Sequence, residues 1–80
     1  RSYASKSIYV GNLPWSTTKP ELTELFSSHS EVYGVSIPID GLGRSKGFAF
    51  VEVNEDGAVE AINALNNTDF KGRTIRISEA

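Results

Sequence analysis

Residues 46–53 alternate with a period of two. Phe48, Phe50 and Glu52 fall on one side of an extended chain, and Ala49, Val51 and Val53 on the other. The small and β-branched set suits a core, so two phenylalanines are left on the side that a core does not need. Ser7-Ile8-Tyr9-Val10-Gly11-Asn12-Leu13 repeats the arrangement, with Ile8 and Val10 on one face and Tyr9 on the other. Between these segments the period changes. Thr18-Lys19-Pro20-Glu21 reads as a capping box with proline tolerated in the first turn, and Leu22, Leu25 and Phe26 then recur at helical spacing. Asn54 is a candidate cap for a second helix, with Ala58, Ala61, Ile62 and Leu65 as its stripe and Asn66-Asn67 as its end.

Strands are expected at about 7–12, 32–38, 47–53 and 73–78. Gly41-Leu42-Gly43 separates the second from the third, and Lys71-Gly72 introduces the last. The order strand, helix, strand, strand, helix, strand predicts an α+β, ferredoxin-like fold. Two helices would cover one face of a four-stranded antiparallel sheet and leave the other face open. Residues 1–6 are expected to be a flexible leading segment and 7–80 the domain.

The two alternating segments resemble the paired signatures of the RNA recognition motif (RRM) family. Lys46-Gly47-Phe48-Ala49-Phe50-Val51-Glu52-Val53 matches the octamer pattern K/R-G-F/Y-G/A-F-V-x-F/Y at every fixed position except the last. Val53 replaces an aromatic there, but its parity turns it to the core, so packing rather than stacking is altered. Gly43-Arg44-Ser45 also looks typical of the family, and the resemblance runs from about Ser7 to Ala80. It implies that Tyr9 and Phe50 each stack on a base, that Phe48 packs against the sugars between them, and that Lys46 meets a phosphate. It further implies single-stranded RNA as partner, since unpaired bases offer flat faces to aromatic platforms.

Around these residues, parity places Arg76 and Glu52 on the open face. Arg76 suits a phosphate or a base, and Glu52 can accept hydrogen bonds from base edges or merely repel backbone. Lys6, Arg44 and Arg73 are further cations expected near phosphate. Asn12 reads as a turn-stabilising side chain more than a base reader. Ser36 and Pro38 should face outward and add little stacking. Trp15 is expected to pack structurally, and His29 to cap the end of the first helix. An alternative makes the phenylalanines a second core face covered by a partner.

Composition narrows the function classes. Eighty residues allow one small domain. The absence of cysteine removes disulfides and thiolate metal sites, and a single histidine removes a histidine cluster, so no metal or cofactor is expected. No apolar run is long enough to cross a bilayer. The net charge of −2 argues against a nucleic-acid binder only if read globally. Glu21, Glu24, Glu31, Glu55, Asp56 and Glu60 lie in or beside the helices, whereas Lys6, Arg44, Lys46, Lys71, Arg73 and Arg76 lie in or beside the strands. A dipolar domain is expected, basic on its sheet side, monomeric, and open to protein partners on its acidic helix side. A protein-interaction module on the same fold and a single-stranded DNA binder are the competing binding functions. No nucleophile–base pair or glycine-rich phosphate cradle suggests an enzyme. The chain does not begin with Met and is read as an excised or processed domain. Arg1-Ser2-Tyr3-Ala4-Ser5 resembles a mitochondrial presequence boundary.

Overall fold

The computed structural model describes residues 4–43 and 46–80. The elements are β1 (Ser5–Gly11), α1 (Lys19–Ser27), β2 (Val32–Ser36), β3 (Phe48–Asn54), α2 (Glu55–Leu65), β4 (Asp69–Phe70), β5 (Arg73–Thr74) and β6 (Arg76–Glu79). β2, β3, β1 and β6 lie side by side in that order, all antiparallel, and form the four-stranded sheet. One face of it packs on the two helices. Val10 sits opposite Ala49 and Ile77, and Ile8 opposite Val51. These side chains join Leu22 and Phe26 of α1 and Ala58, Ala61 and Leu65 of α2 in one buried core. Val53 is fully buried, as its parity requires.

Both helix starts follow from local chemistry. Thr18 Oγ1 accepts the Glu21 amide at 3.4 Å while Glu21 Oε1 accepts the Thr18 amide at 2.8 Å, a reciprocal capping box. Asn54 Oδ1 accepts the Asp56 amide at 2.8 Å and opens α2 directly from the end of β3. At the other end of α2, Asn66 Oδ1 accepts the Ile77 amide at 2.8 Å and ties the helix to β6.

Four details differ from the sequence expectation. β1 begins at Ser5, so Ser5 and Lys6 belong to the sheet, and Ala4 accepts the Glu55 amide at 3.0 Å. Val32 and Val35 both turn inward, three residues apart, which a regular strand cannot do. The register shifts between Val32 and Gly34 to accommodate them, bulging the strand at Tyr33. The last strand is divided: β4 and β5 form their own hairpin before β6. Lys71 (φ 54°) and Gly72 (φ 88°) form its two-residue turn, and positive φ at both positions is what the type I′ hairpin needs. His29 is also placed differently. Its ring lies 3.4 Å from Glu60 Oε2 on α2, bridging the helices, while its backbone amide bonds Phe26 O.

Candidate nucleic-acid interface

On the face away from the helices the register sets out a grid. Tyr9 lies directly opposite Phe50 on β3 and Ser78 on β6, and Phe50 opposite Ser36 on β2. One step along, Phe48 and Arg76 flank Gly11 from either side. One step the other way, Glu52 lies between Ser7 and Gly34. Strand pairing thus converts a shared parity into a compact aromatic cluster. The ring centroids of Tyr9, Phe48 and Phe50 are 5.8–5.9 Å apart in all three pairs. Phe48–Phe50 and Tyr9–Phe50 meet edge to face, at 85° and 61°, the arrangement aromatic quadrupoles favour. Phe50 keeps 36% of its surface exposed although a helix-covered core lies on the other side of the same strand.

Gly11 is part of this arrangement. A Cβ at that position would stand 2.6 Å from Tyr9 Oη and 2.8 Å from its Cε2, so the phenol end of the Tyr9 ring lies over the glycine. The missing side chain is what lets the ring occupy the centre of the face.

The charged groups divide between the two sides of the sheet. Arg76 projects onto the open face and, among the described residues, forms no ion pair; Lys46 is exposed at the entrance to β3 and likewise has none. Lys6 is a correction. It shares parity with Ile8, so it lies on the helix side, where its ammonium pairs with Glu79 at 2.6 Å. The hydrogen bond that the ammonium donates to that carboxylate, and then the carboxylate's charge, hold the Lys6 pKa above the usual lysine value. Lys71 is a second. It reaches Glu21 Oε1 at 3.0 Å and the Ser16 hydroxyl at 3.1 Å, which draws it to the helix side. The bond from Lys71, followed by the one from the Thr18 amide, lowers the Glu21 pKa below the usual carboxylate value.

Arg73 and Asn12 are bound to each other. Arg73 donates through Nη2 to Asn12 Oδ1 at 2.6 Å and through Nε to Asn12 O at 3.1 Å. Asn12 Nδ2 in turn donates to Thr74 O at 2.6 Å. Asn12 takes φ 63°, a left-handed conformation that asparagine tolerates, and so fastens the end of β1 to the β4–β5 hairpin. Arg73 spends part of its donor fork on this clamp and keeps its charge at the rim of the face. Glu52 is on the open face, with its Oε2 accepting the Ser5 hydroxyl at 2.7 Å. Arg44 lies outside the described residues.

Trp15 differs from its expected structural role. It is 71% exposed and, with Pro14, Ser16 and Arg73, lines a shallow depression of about 430 Å³. Its position after Leu13-Pro14 gave no sign of this, because loop direction is set by Asn12 and by the Leu13 amide bonding Gly47 O at 2.8 Å. Among the described residues, no group of three or more His, Cys, Asp or Glu could hold a metal, and no helix is long and apolar enough to cross a membrane.

The family described as the RNA recognition motif matches residues 8–76. This chain belongs to that family. It is therefore an RNA-binding domain and not an enzyme. The RbpE protein of Nostoc sp., named for RNA binding, is 42% identical over 76 residues, covering 92% of this chain and 77% of its own length. A chloroplastic 29 kDa ribonucleoprotein of Arabidopsis thaliana is 44% identical over 75 residues; these span 91% of this chain and 22% of that protein. Among solved structures, a Sxl-lethal protein/RNA complex superposes with a TM-score of 0.87 at 35% identity, covering 94% of this chain and 47% of that one. The antiparallel sheet with two helices on one face is the fold of this family. The chloroplastic relatives give no support to the mitochondrial boundary that the first residues resemble.

Proposed function

We propose that this RRM domain binds single-stranded RNA on its open sheet face. Tyr9 and Phe50 each carry a stacked base, and Phe48 packs against the sugars between them. Arg76 and Lys46 meet phosphates, with Arg44 added on sequence grounds and Arg73 contributing its remaining N–H groups. Asn12 shapes the rim, Glu52 faces base edges, and Lys6 is left out because it sits behind the sheet. The observation that carries this reading is the cluster of three rings within 5.9 Å of one another on the uncovered face. Solvent exposure of so much aromatic surface is unfavourable unless a planar ligand covers it. The RNA bound by the Sxl-lethal relative supports the choice of ligand, and the chloroplastic names of the plant relatives favour an intracellular, organelle-type compartment.

The decisive experiment compares two neighbours on β3. Phe50→Ala should weaken binding of a short single-stranded RNA by about 1–3 kcal/mol and leave the domain folded, because an exposed platform contributes stacking and little core. Val51→Ala should leave binding nearly intact and cost about 0.5–3 kcal/mol of stability. Amide shifts on adding RNA should concentrate in β1 and β3. The opposite pattern for the two variants, or shifts confined to α1 and α2, would overturn the assignment. Equal affinity for DNA of the same sequence would show that the 2′-hydroxyl is not read.

A second reading concerns the helix side. Leu25, Leu65 and Phe70 floor a depression of about 410 Å³ whose rim carries Glu24, His29 and the Lys71–Glu21 ion pair, which suits a largely apolar peptide segment. Shifts at those residues on adding such a peptide, with RNA still bound, would establish it.

A further inference from the structure

Glu52 is an acid on the face that RNA would cover. Among the described residues it forms no ion pair, so no cation on that face neutralises its carboxylate. A phosphate approaching it would be repelled. It is also held in place, since Ser5 donates to Oε2 at 2.7 Å across two strands. The space beside it is vacant. Gly34 lies directly opposite on β2, and, its own chain neighbours aside, nothing comes within 4 Å of where a side chain at Gly34 would begin. Ser7, Gly34, Ser36, Phe50 and Glu52 border a depression of about 320 Å³ there, contiguous with the Phe50 ring.

We propose that Glu52 is a specificity-determining residue that selects guanine for the base stacked on or next to Phe50. The inference rests on the RNA-platform reading and names what that platform prefers. An ionised carboxylate only accepts hydrogen bonds, through about four lone-pair positions on two oxygens. Ser5 occupies one of them. The Watson–Crick edge of guanine presents two adjacent donors, N1–H and the N2 amine, which match the two oxygens in parallel. Uracil presents one N–H between two carbonyls, and both carbonyls would face the carboxylate. Adenine and cytosine each offer one amine beside a ring nitrogen acceptor. A charged, paired contact of this kind is the strong class of hydrogen bond. The vacancy at Gly34 gives a purine room to reach it from the Phe50 side. Ser5 acts as a positioning residue through Glu52.

The test uses octauridylate and the same octamer with a single guanosine walked through each position, titrated by fluorescence anisotropy. The wild-type domain should bind one guanosine placement roughly five- to a hundredfold more tightly than octauridylate, the range of one good bidentate base contact. Glu52→Gln should abolish that ratio, since one acceptor oxygen becomes a donor and the negative charge is lost. Ser5→Ala should narrow the ratio without changing octauridylate affinity, which a purely structural role for Ser5 would not do. An unchanged ratio in Glu52→Gln, or no guanosine preference in the wild type, overturns the proposal while leaving the platform intact. Failure of the wild type to bind any of the octamers overturns the platform reading and this inference with it.

Discussion

Gly11→Ala is the most direct perturbation of the aromatic platform, because it changes no residue proposed to touch RNA. The added Cβ would lie 2.6 Å from Tyr9 Oη, 2.8 Å from Cε2 and 3.0 Å from Cζ. Carbon atoms attract best at about 3.5–4.0 Å, so the ring must lift by roughly an ångström. The obstructing atoms belong to the end of a mobile side chain, not to backbone, so the strand can keep its register. Alanine also gains about 0.5–1 kcal/mol over glycine in a strand interior through backbone entropy. The domain should therefore stay folded, with a melting temperature near that of the wild type. Lifting the ring also disturbs its contacts with Phe48 and Phe50, each at 5.9 Å between centroids. The loss in RNA affinity should approach one stacked base, about 1–3 kcal/mol, or roughly five- to a hundredfold. Isothermal titration of the wild type, Gly11→Ala, Tyr9→Ala and the double variant completes a thermodynamic cycle. If Gly11 acts through the seat of Tyr9, adding Gly11→Ala to Tyr9→Ala should change nothing further. Equal losses in both backgrounds, or wild-type affinity in Gly11→Ala, would refute the argument.

Three further outcomes are expected. Arg76→Ala should flatten the dependence of log affinity on log salt by about 0.7, the contribution of one phosphate on a single strand, whereas Lys6→Ala on the helix side should leave the slope unchanged. Gly57→Ala should destabilise the domain by up to about 2 kcal/mol net without altering RNA affinity, checked by urea unfolding. Its Cβ would stand 2.6 Å from His29 O, which is backbone, and overpacking of about 1–3 kcal/mol outweighs the gain of up to about 1 kcal/mol in helix propensity. Glu21 has a folded pKa below its unfolded value, through Lys71 first and the Thr18 amide second. The stability it contributes is fully present above the ordinary carboxylate value of about 4.3 and is lost as pH falls through the lower folded value, so Glu21→Gln should unfold with a shallower acid dependence than the wild type.

Much of this architecture was already written in short stretches of chain. The alternation around Phe48 and Phe50, the Thr18–Glu21 capping box and the Asn54 cap each depend on residues a few positions apart, and local chemistry decides them. The open face and its aromatic residues follow from parity, which needs no knowledge of neighbouring strands. Tertiary structure decided what parity leaves undetermined. Whether Phe48 meets Gly11 or another residue of β1 is a matter of register, and register is set by cores and turns distant in sequence. The bulge at Tyr33 brought Gly34 opposite Glu52 and so opened the space beside it. The Lys71–Gly72 hairpin was hidden because two-residue strands are too short to show alternation. Its folding carried Lys71 to Glu21 and Arg73 to Asn12, partners 50 and 61 residues away. Long cationic side chains go where the folded surface offers them an acceptor, and that surface exists only once the strands have paired.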